Sequence, residues 1–93
     1  MGERPLTAGE RAMLSSIFGS SINLDAIRIT TDRTLPGQNV PVSPNGGRVY
    51  WLQNLPKHPY SEDFSKASDL MQGIFIHEME HAWGVQHGVN EIR

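Results

Sequence analysis

The segment that most constrains this chain is residues 74–88, IFIHEMEHAWGVQHG, which places three of the four histidines within eleven residues. Its apolar residues recur at helical spacing, so we predict a helix that begins near Ser65 or Ser68 and runs through the segment. Apolar side chains occupy most of its circumference and leave only a narrow polar arc. A helix of this kind is enclosed by the rest of the fold. Its histidines should therefore sit on a mostly buried element.

Two of these histidines, His77 and His81, are four residues apart and project from one face of a helix. Their imidazoles can take two corners of a tetrahedral zinc site, at roughly 2.0–2.1 Å from the metal. Glu78 follows the first of them, about 100° around the helix, where its carboxylate can reach a water at the metal without being a ligand. The spacing is the H-E-x-x-H pattern. It predicts zinc-dependent hydrolysis of a peptide or related amide, with Glu78 as the general base.

A catalytic zinc needs a third protein ligand, and His87 is the nearest candidate. The longer string H-E-x-x-H-x-x-G-x-x-H, from His77 to His87, resembles the metzincin motif, although the six residues that follow it hold no Met-turn. In a continuous helix His87 would lie about 280° from His77. A helix break at Gly84 would let the chain return to the metal. Four other residues stay open as ligands: His58, Glu62, Asp63 and Glu91.

Length and composition limit the other possibilities. The 93 residues are expected to form one domain, 1–93, and the absence of cysteine excludes disulfides and thiolate zinc clusters. A net charge of −2 gives no electrostatic case for nucleic acid or an anionic membrane. We find neither a signal peptide nor an apolar run near the ~20 residues that cross a bilayer. We therefore expect a soluble protein that is cytoplasmic as synthesised.

The remaining pattern predicts an α+β fold. Thr7 and Glu10 have the spacing of a capping box, and the apolar residues after them predict a helix over 8–18. Alternating or β-branched residues predict strands over 26–31 and 48–54, with a short edge strand near 40–43. We expect a minimal zincin-like domain: a small twisted sheet of about three strands, a covering N-terminal helix and a buried C-terminal active-site helix.

Several segments together resemble a known group of proteins. The stretches RPLTAGE, NGGRVYW, YSEDFS and QGIFIHEMEHAW are similar to the small zincin-like domains of VgrG-related proteins, which are encoded with type VI secretion and other contractile injection systems. The resemblance implies a zinc metallopeptidase that acts as an effector or processing enzyme. It also implies a VgrG-type spike or another secretion component as partner, and export by a contractile system. In that group the helix often continues with Gln where this chain has Gly84.

A different class of function stays open. The same residues could hold a structural zinc in a non-catalytic adaptor of a secretion spike, whose sheet edge binds a partner. Closed four-ligand coordination would favour the adaptor, and three ligands plus water would favour the enzyme. In the enzyme, residues 48–54 are the candidate edge for an extended peptide substrate. Three side chains could stabilise an oxyanion, although packing roles are also open to them: Arg48, Tyr50 and Tyr60.

Overall fold

A computed structural model describes residues 3–32, 36–44, 47–53, 55 and 57–88. Within these ranges, the chain forms two α-helices and a sheet of three short strands, which confirms the α+β class. The elements in chain order are β1 (Glu3–Pro5), α1 (Ala8–Phe18), a 3₁₀ turn (Leu24–Ala26), β2 (Arg28–Thr30), β3 (Arg48–Tyr50), a second 3₁₀ turn (Phe64–Lys66) and α2 (Asp69–Gln86).

The first helix has the predicted bounds and the predicted start. The Thr7 hydroxyl accepts a hydrogen bond from the Glu10 amide at 3.0 Å, and the Glu10 carboxylate accepts one from the Thr7 amide at 2.9 Å. This reciprocal capping box satisfies two backbone donors that the first turn of a helix otherwise leaves unpaired. A Cβ at Gly9 would collide with the Ser65 side chain, so a larger residue there would force Ser65 to move where α1 meets the second 3₁₀ turn.

Glu10 has a second role that the capping pattern does not reveal. Its carboxylate is fully buried and accepts two hydrogen bonds from the Arg4 guanidinium, at 3.0 and 3.1 Å. It also accepts one from the Phe64 amide at 2.7 Å. Arg4 in turn donates to the Tyr60 hydroxyl at 2.8 Å and to the Ser61 carbonyl at 3.0 Å. One buried ion pair therefore joins β1, α1 and the segment that leads to the second 3₁₀ turn.

The sheet has the order β1-β2-β3, with β1 antiparallel and β3 parallel to the central strand. Both strands predicted by periodicity are present but shorter than expected. On its other side β3 pairs through a single antiparallel bridge between Tyr50 and Val42, with N–O distances of 2.9 and 3.2 Å. This bridge lies at the predicted edge segment. It also means that Tyr50 is paired on both sides, so the predicted peptide-binding edge at 48–54 is not free at Tyr50.

The second helix begins at Asp69 and is capped by Ser68, whose hydroxyl accepts a hydrogen bond from the Met71 amide at 3.2 Å. Its inner face packs into the core, where Phe75 stacks on Phe64 at a ring distance of 4.7 Å and Phe64 contacts Trp51 at 4.4 Å. The described residues contain no helix that is both long and apolar enough to cross a membrane.

Candidate metal centre

Three side chains of α2 form a cluster that could hold a metal ion: His77, Glu78 and His81. One ligand atom from each lies within 4.8 Å of the other two. The three differ in exposure. Glu78 faces the core and is buried, His81 is half-buried, and the His77 side chain is 64% exposed. The sequence placed the histidines on a mostly buried element. The structure places His77 at its solvent-facing border.

The two imidazoles converge on one point. Their Nε2 atoms lie 3.1 Å apart, with the rings nearly perpendicular at 80°. Two nitrogens bound to one tetrahedral zinc at about 2.0–2.1 Å are separated by about 3.3 Å. The arrangement of His77 and His81 thus fits a shared zinc ion with little movement of either ring.

The outer nitrogen of His77 faces a second carboxylate. Its Nδ1 lies 3.9 Å from Glu80 Oε1, and both side chains are exposed. A histidine that ligates through Nε2 presents Nδ1–H outward, commonly toward a carboxylate that fixes the ring. Glu80, which the sequence placed on the solvent face, is close enough to orient His77 after a small side-chain rotation.

The side chain of Glu78 is largely buried from water. Burial raises the pKa of its carboxyl to about 7, and a hydrogen bond from the Ser43 hydroxyl opposes part of that rise. A carboxyl whose pKa lies near neutrality can both accept and return a proton under ordinary conditions. Its environment therefore suits general acid–base chemistry better than a permanently charged role.

Ser43 is the contact that sequence reasoning missed. Its hydroxyl lies 3.3 Å from Glu78 Oε1 and 3.4 Å from the Glu78 carbonyl oxygen, so it can donate to either. The neighbouring bridge between Val42 and Tyr50 fixes this segment to β3. The sequence predicted an edge strand at 40–43, but it did not indicate that this strand would bring Ser43 next to Glu78 on α2.

His87, the predicted third ligand, does not join the cluster that the structure brings together. That prediction required a helix break at Gly84, but α2 continues through Gly84 to Gln86, and the His87 amide still bonds to the carbonyl oxygens of Trp83 and Gly84 at 3.0 and 3.2 Å. The His87 ring instead packs on Trp83 at 4.6 Å, and its Nε2 contacts the Ser21 carbonyl oxygen.

Side-chain contacts explain why the helix continues. Trp83 Nε1 donates to the Ser21 hydroxyl at 3.0 Å, and the Gln86 side chain bonds to both the amide and the carbonyl of Asn23, at 2.8 and 3.2 Å. These contacts fasten the last turn of α2 to the connection between α1 and β2. A hollow of about 870 Å³ lies at this end of the molecule and shares no lining residue with the cleft beside the cluster.

The cleft beside the cluster has a volume of about 500 Å³. One wall is the exposed side of the N-terminal half of α2, and the other comes from the edge segment and the loop before the second 3₁₀ turn. Its lining residues are Val40, Pro41, His58, Asp69, Leu70, Gly73, Ile74, His77 and Glu78.

The other proposed ligands fall in different places. His58 lines this cleft but lies outside the cluster of ligand atoms. Asp63 caps the second 3₁₀ turn by accepting from the Ser65 amide at 3.0 Å, and it accepts from the Thr7 hydroxyl at 2.9 Å. Glu62 is exposed and is not part of the cluster. Glu91 lies outside the described residues.

The three oxyanion candidates have contacts elsewhere. The Tyr60 hydroxyl accepts from Arg4, and its ring packs edge-on against Phe64. Arg48 pairs with Glu3 at 3.3 Å, and Tyr50 belongs to β3. None of the three lines the described cleft, which favours the packing roles that the sequence left open for them.

Comparison with known proteins agrees with the resemblance seen in the sequence. No protein-family model matches the chain. It is 37% identical over 89 residues to the type VI secretion system spike protein VgrG2b of Pseudomonas aeruginosa, and the fold matches the solved effector domain of VgrG2b with a TM-score of 0.82. The chain is homologous to that effector domain. The match covers 94% of the chain, but only 8% of the spike protein and 48% of the solved effector-domain chain.

Proposed function

We propose that this chain hydrolyses peptide bonds with a zinc ion held by His77 and His81 and with Glu78 as the general base. The observation that carries the proposal is the pair of Nε2 atoms 3.1 Å apart, with a buried carboxylate in the same cluster. When bound, zinc supplies Lewis acidity to the substrate carbonyl and to the attacking water.

The residues of the chain perform the proton transfers. Glu78 accepts a proton from water as the water oxygen forms its bond to the carbonyl carbon. It then donates this proton to the amide nitrogen as the carbon–nitrogen bond breaks, so the carboxylate is regenerated. Ser43 holds the Glu78 carboxylate through its hydroxyl.

The exposure of His77 supports the enzyme over the adaptor with a closed structural zinc. A site at which one ligand is 64% exposed leaves room for water and substrate on one side. A catalytic zinc usually has three protein ligands, and the cluster supplies two histidines. Of the further candidate ligands that lie within the described residues, His58 is the one that shares the cleft with the cluster.

The homology supports a role in secretion. Because the related domain is described as the effector domain of a type VI secretion spike protein, we propose that this chain acts as an effector or processing peptidase of a contractile secretion system. Its partners would be a VgrG-type spike or another secretion component and a protein or peptide substrate. Such a system would also export it from the cytoplasm.

The test compares purified wild type with Glu78→Gln after zinc reconstitution. We expect wild type to hydrolyse an unstructured protein substrate such as casein. Glu78→Gln should lose at least about a hundredfold in rate, the scale of a general-base contribution, while it retains zinc. Glu62→Gln, which changes an exposed carboxylate outside the cluster, is the matched control and should keep full activity. Equal rates for wild type and Glu78→Gln would reject the proposal.

A further inference from the structure

One imidazole in the cleft lies apart from the cluster. His58 is half-buried and lines the cleft together with His77 and Glu78, but it is outside the cluster of ligand atoms. It belongs to the loop that forms part of the wall facing α2. A polar side chain in this position is placed to contact a substrate held at the cluster rather than the metal itself.

The side chains that line the cleft offer few hydrogen-bond donors. Apart from the cluster and His58, the described lining residues are apolar, glycine or, at Asp69, a carboxylate that accepts hydrogen bonds when ionised. An imidazole carries a ring N–H whether it is neutral or protonated. Within the described part of the chain, His58 is therefore the one lining side chain outside the cluster that can donate to a carbonyl oxygen in either charge state.

Backbone contacts hold His58 against the core. Its carbonyl oxygen accepts a hydrogen bond from Trp51 Nε1 at 2.8 Å, and its amide donates to the Leu55 carbonyl oxygen at 3.4 Å. Trp51 and Leu55 are both buried in the core. Lys57, between these anchors, has a φ of 66°, a left-handed conformation that is uncommon for a residue with a side chain. Such conformations persist where the surrounding contacts enforce them, and they are concentrated at functional sites.

The buried ion pair fastens the other end of the same loop. Arg4, which pairs with the buried Glu10, also donates to the Tyr60 hydroxyl and to the Ser61 carbonyl oxygen. The loop is thus fixed on both sides of His58. A donor that is held in place needs little reorganisation when negative charge appears on its acceptor, and this makes fixed donors effective in catalysis.

We propose that His58 is a catalytic residue whose ring N–H binds the carbonyl oxygen of the bond that is cut. The inference rests on the proposed function and supplies the oxyanion donor, a role for which Arg48, Tyr50 and Tyr60 do not line the cleft. Negative charge develops on this oxygen as the water oxygen bonds to the carbonyl carbon, and it is lost as the carbon–nitrogen bond breaks. The hydrogen bond from His58 is strongest while that charge is present, so it lowers the barrier.

Hydrolysis of casein by zinc-reconstituted variants tests this role. His58→Phe removes the donor but keeps the backbone contacts with Trp51 and Leu55. We expect kcat to fall about 100-fold, the scale of one lost oxyanion donor, with KM within about threefold of wild type. His58→Gln retains a side-chain N–H and should lose less than about 10-fold. Lys57→Asn is the matched control, because it alters the exposed neighbour to a residue that tolerates the left-handed region, and it should keep full activity.

Two binding measurements separate failure of this inference from failure of the proposed function. The zinc affinity of His58→Phe should equal that of wild type, and a tenfold or greater loss would make His58 a ligand and overturn the inference. Phosphoramidon, a phosphoryl dipeptide whose tetrahedral phosphorus resembles the transition state, should bind the zinc-loaded variant at least about 30-fold more weakly than wild type.

The combined results distinguish the outcomes. Equal kcat values for an active wild type and His58→Phe would overturn the assignment of His58 and leave the peptidase standing. A wild type that hydrolyses no casein, but binds phosphoramidon more tightly than His58→Phe does, would reject the peptidase and support His58 as a donor in this cleft. Equal phosphoramidon affinities would contradict the donor role.

Discussion

The Ser43 hydroxyl lies 3.3 Å from the Glu78 carboxylate, across the gap between the edge segment and α2. This contact lowers the pKa of Glu78, against the larger effect of burial, which raises it. Two elements of the fold thus meet at the residue that we propose as the general base. Neither element alone determines the environment of that residue.

Removing this hydroxyl should change the pH dependence of the reaction. In Ser43→Ala the pKa of Glu78 rises, so the acidic limb of the kcat profile should move to higher pH, because the base must be deprotonated to accept a proton from water. The plateau rate should fall by about 2–10-fold, the scale of the loss of one hydrogen bond. Ser43→Thr keeps the hydroxyl and should restore both. An unshifted limb in Ser43→Ala would show that the contact does not act on Glu78.

The buried carboxyl of Glu78 should also make the stability of the metal-free protein depend on pH. Its pKa in the folded state is about 7, above the ordinary value of 4.5. The folded protein therefore binds more protons than the unfolded one between these values. The stabilising contribution is fully present below pH 4.5 and is lost as the pH rises through about 7.

Thermal unfolding of the metal-free protein measures this effect. Between about pH 5 and pH 8 the melting temperature of wild type should fall by a few degrees more than that of Glu78→Gln, which lacks the titrating group. The variant controls for other groups that titrate in the same range. Parallel curves for the two proteins would contradict the burial of an ionisable Glu78.

Loss of Arg4 should destabilise the fold severely. Arg4→Ala leaves the fully buried Glu10 carboxylate without its charged partner, a change that costs on the order of 3–5 kcal/mol. Arg11→Ala is the matched control, because its pair with Asp25 is exposed and should contribute at most about 1 kcal/mol. Denaturant unfolding of the two variants gives the comparison. Equal losses of unfolding free energy would refute the structural role assigned to Arg4.

His87 should matter for stability and not for zinc. His87→Ala removes a contact with the Ser21 carbonyl and the packing on Trp83, so unfolding free energy should fall by about 1 kcal/mol. Its zinc affinity should equal that of wild type, since the ring lies outside the cluster. A tenfold or greater loss of affinity in this variant would restore His87 as a ligand.

Local signals predicted much of this fold. The capping box at Thr7 and Glu10 fixed the start of α1, and the spacing of His77 and His81 placed both imidazoles on one face of α2, because such relationships span a single helical turn. The strands β2 and β3 were predicted but overextended, since alternation continues beyond the residues that pair, whereas β1 (Glu3–Pro5) was not predicted. The VgrG-related resemblance was also visible in the sequence, and the 37% identity to VgrG2b supports it.

Long-range contacts could not be predicted in the same way. Glu10 bonds to Phe64 across 54 residues, Ser43 contacts Glu78 across 35, and His87 reaches Ser21 across 66. No periodicity links such positions, because each contact depends on how separate elements pack. The helix break at Gly84, on which the His87 prediction depended, does not form for this reason: glycine permits a break, but contacts with the connection between α1 and β2 favour continuation.

Zinc titration of the purified chain tests the central claim most directly. Competition with a chromophoric chelator should give one zinc per wild-type chain. His77→Ala and His81→Ala should each weaken binding by at least about a hundredfold, because each removes one of two converging imidazoles. Glu78→Gln should bind zinc as wild type does, since Glu78 is proposed as the base and not as a ligand. Wild-type affinity in either histidine variant would contradict the account.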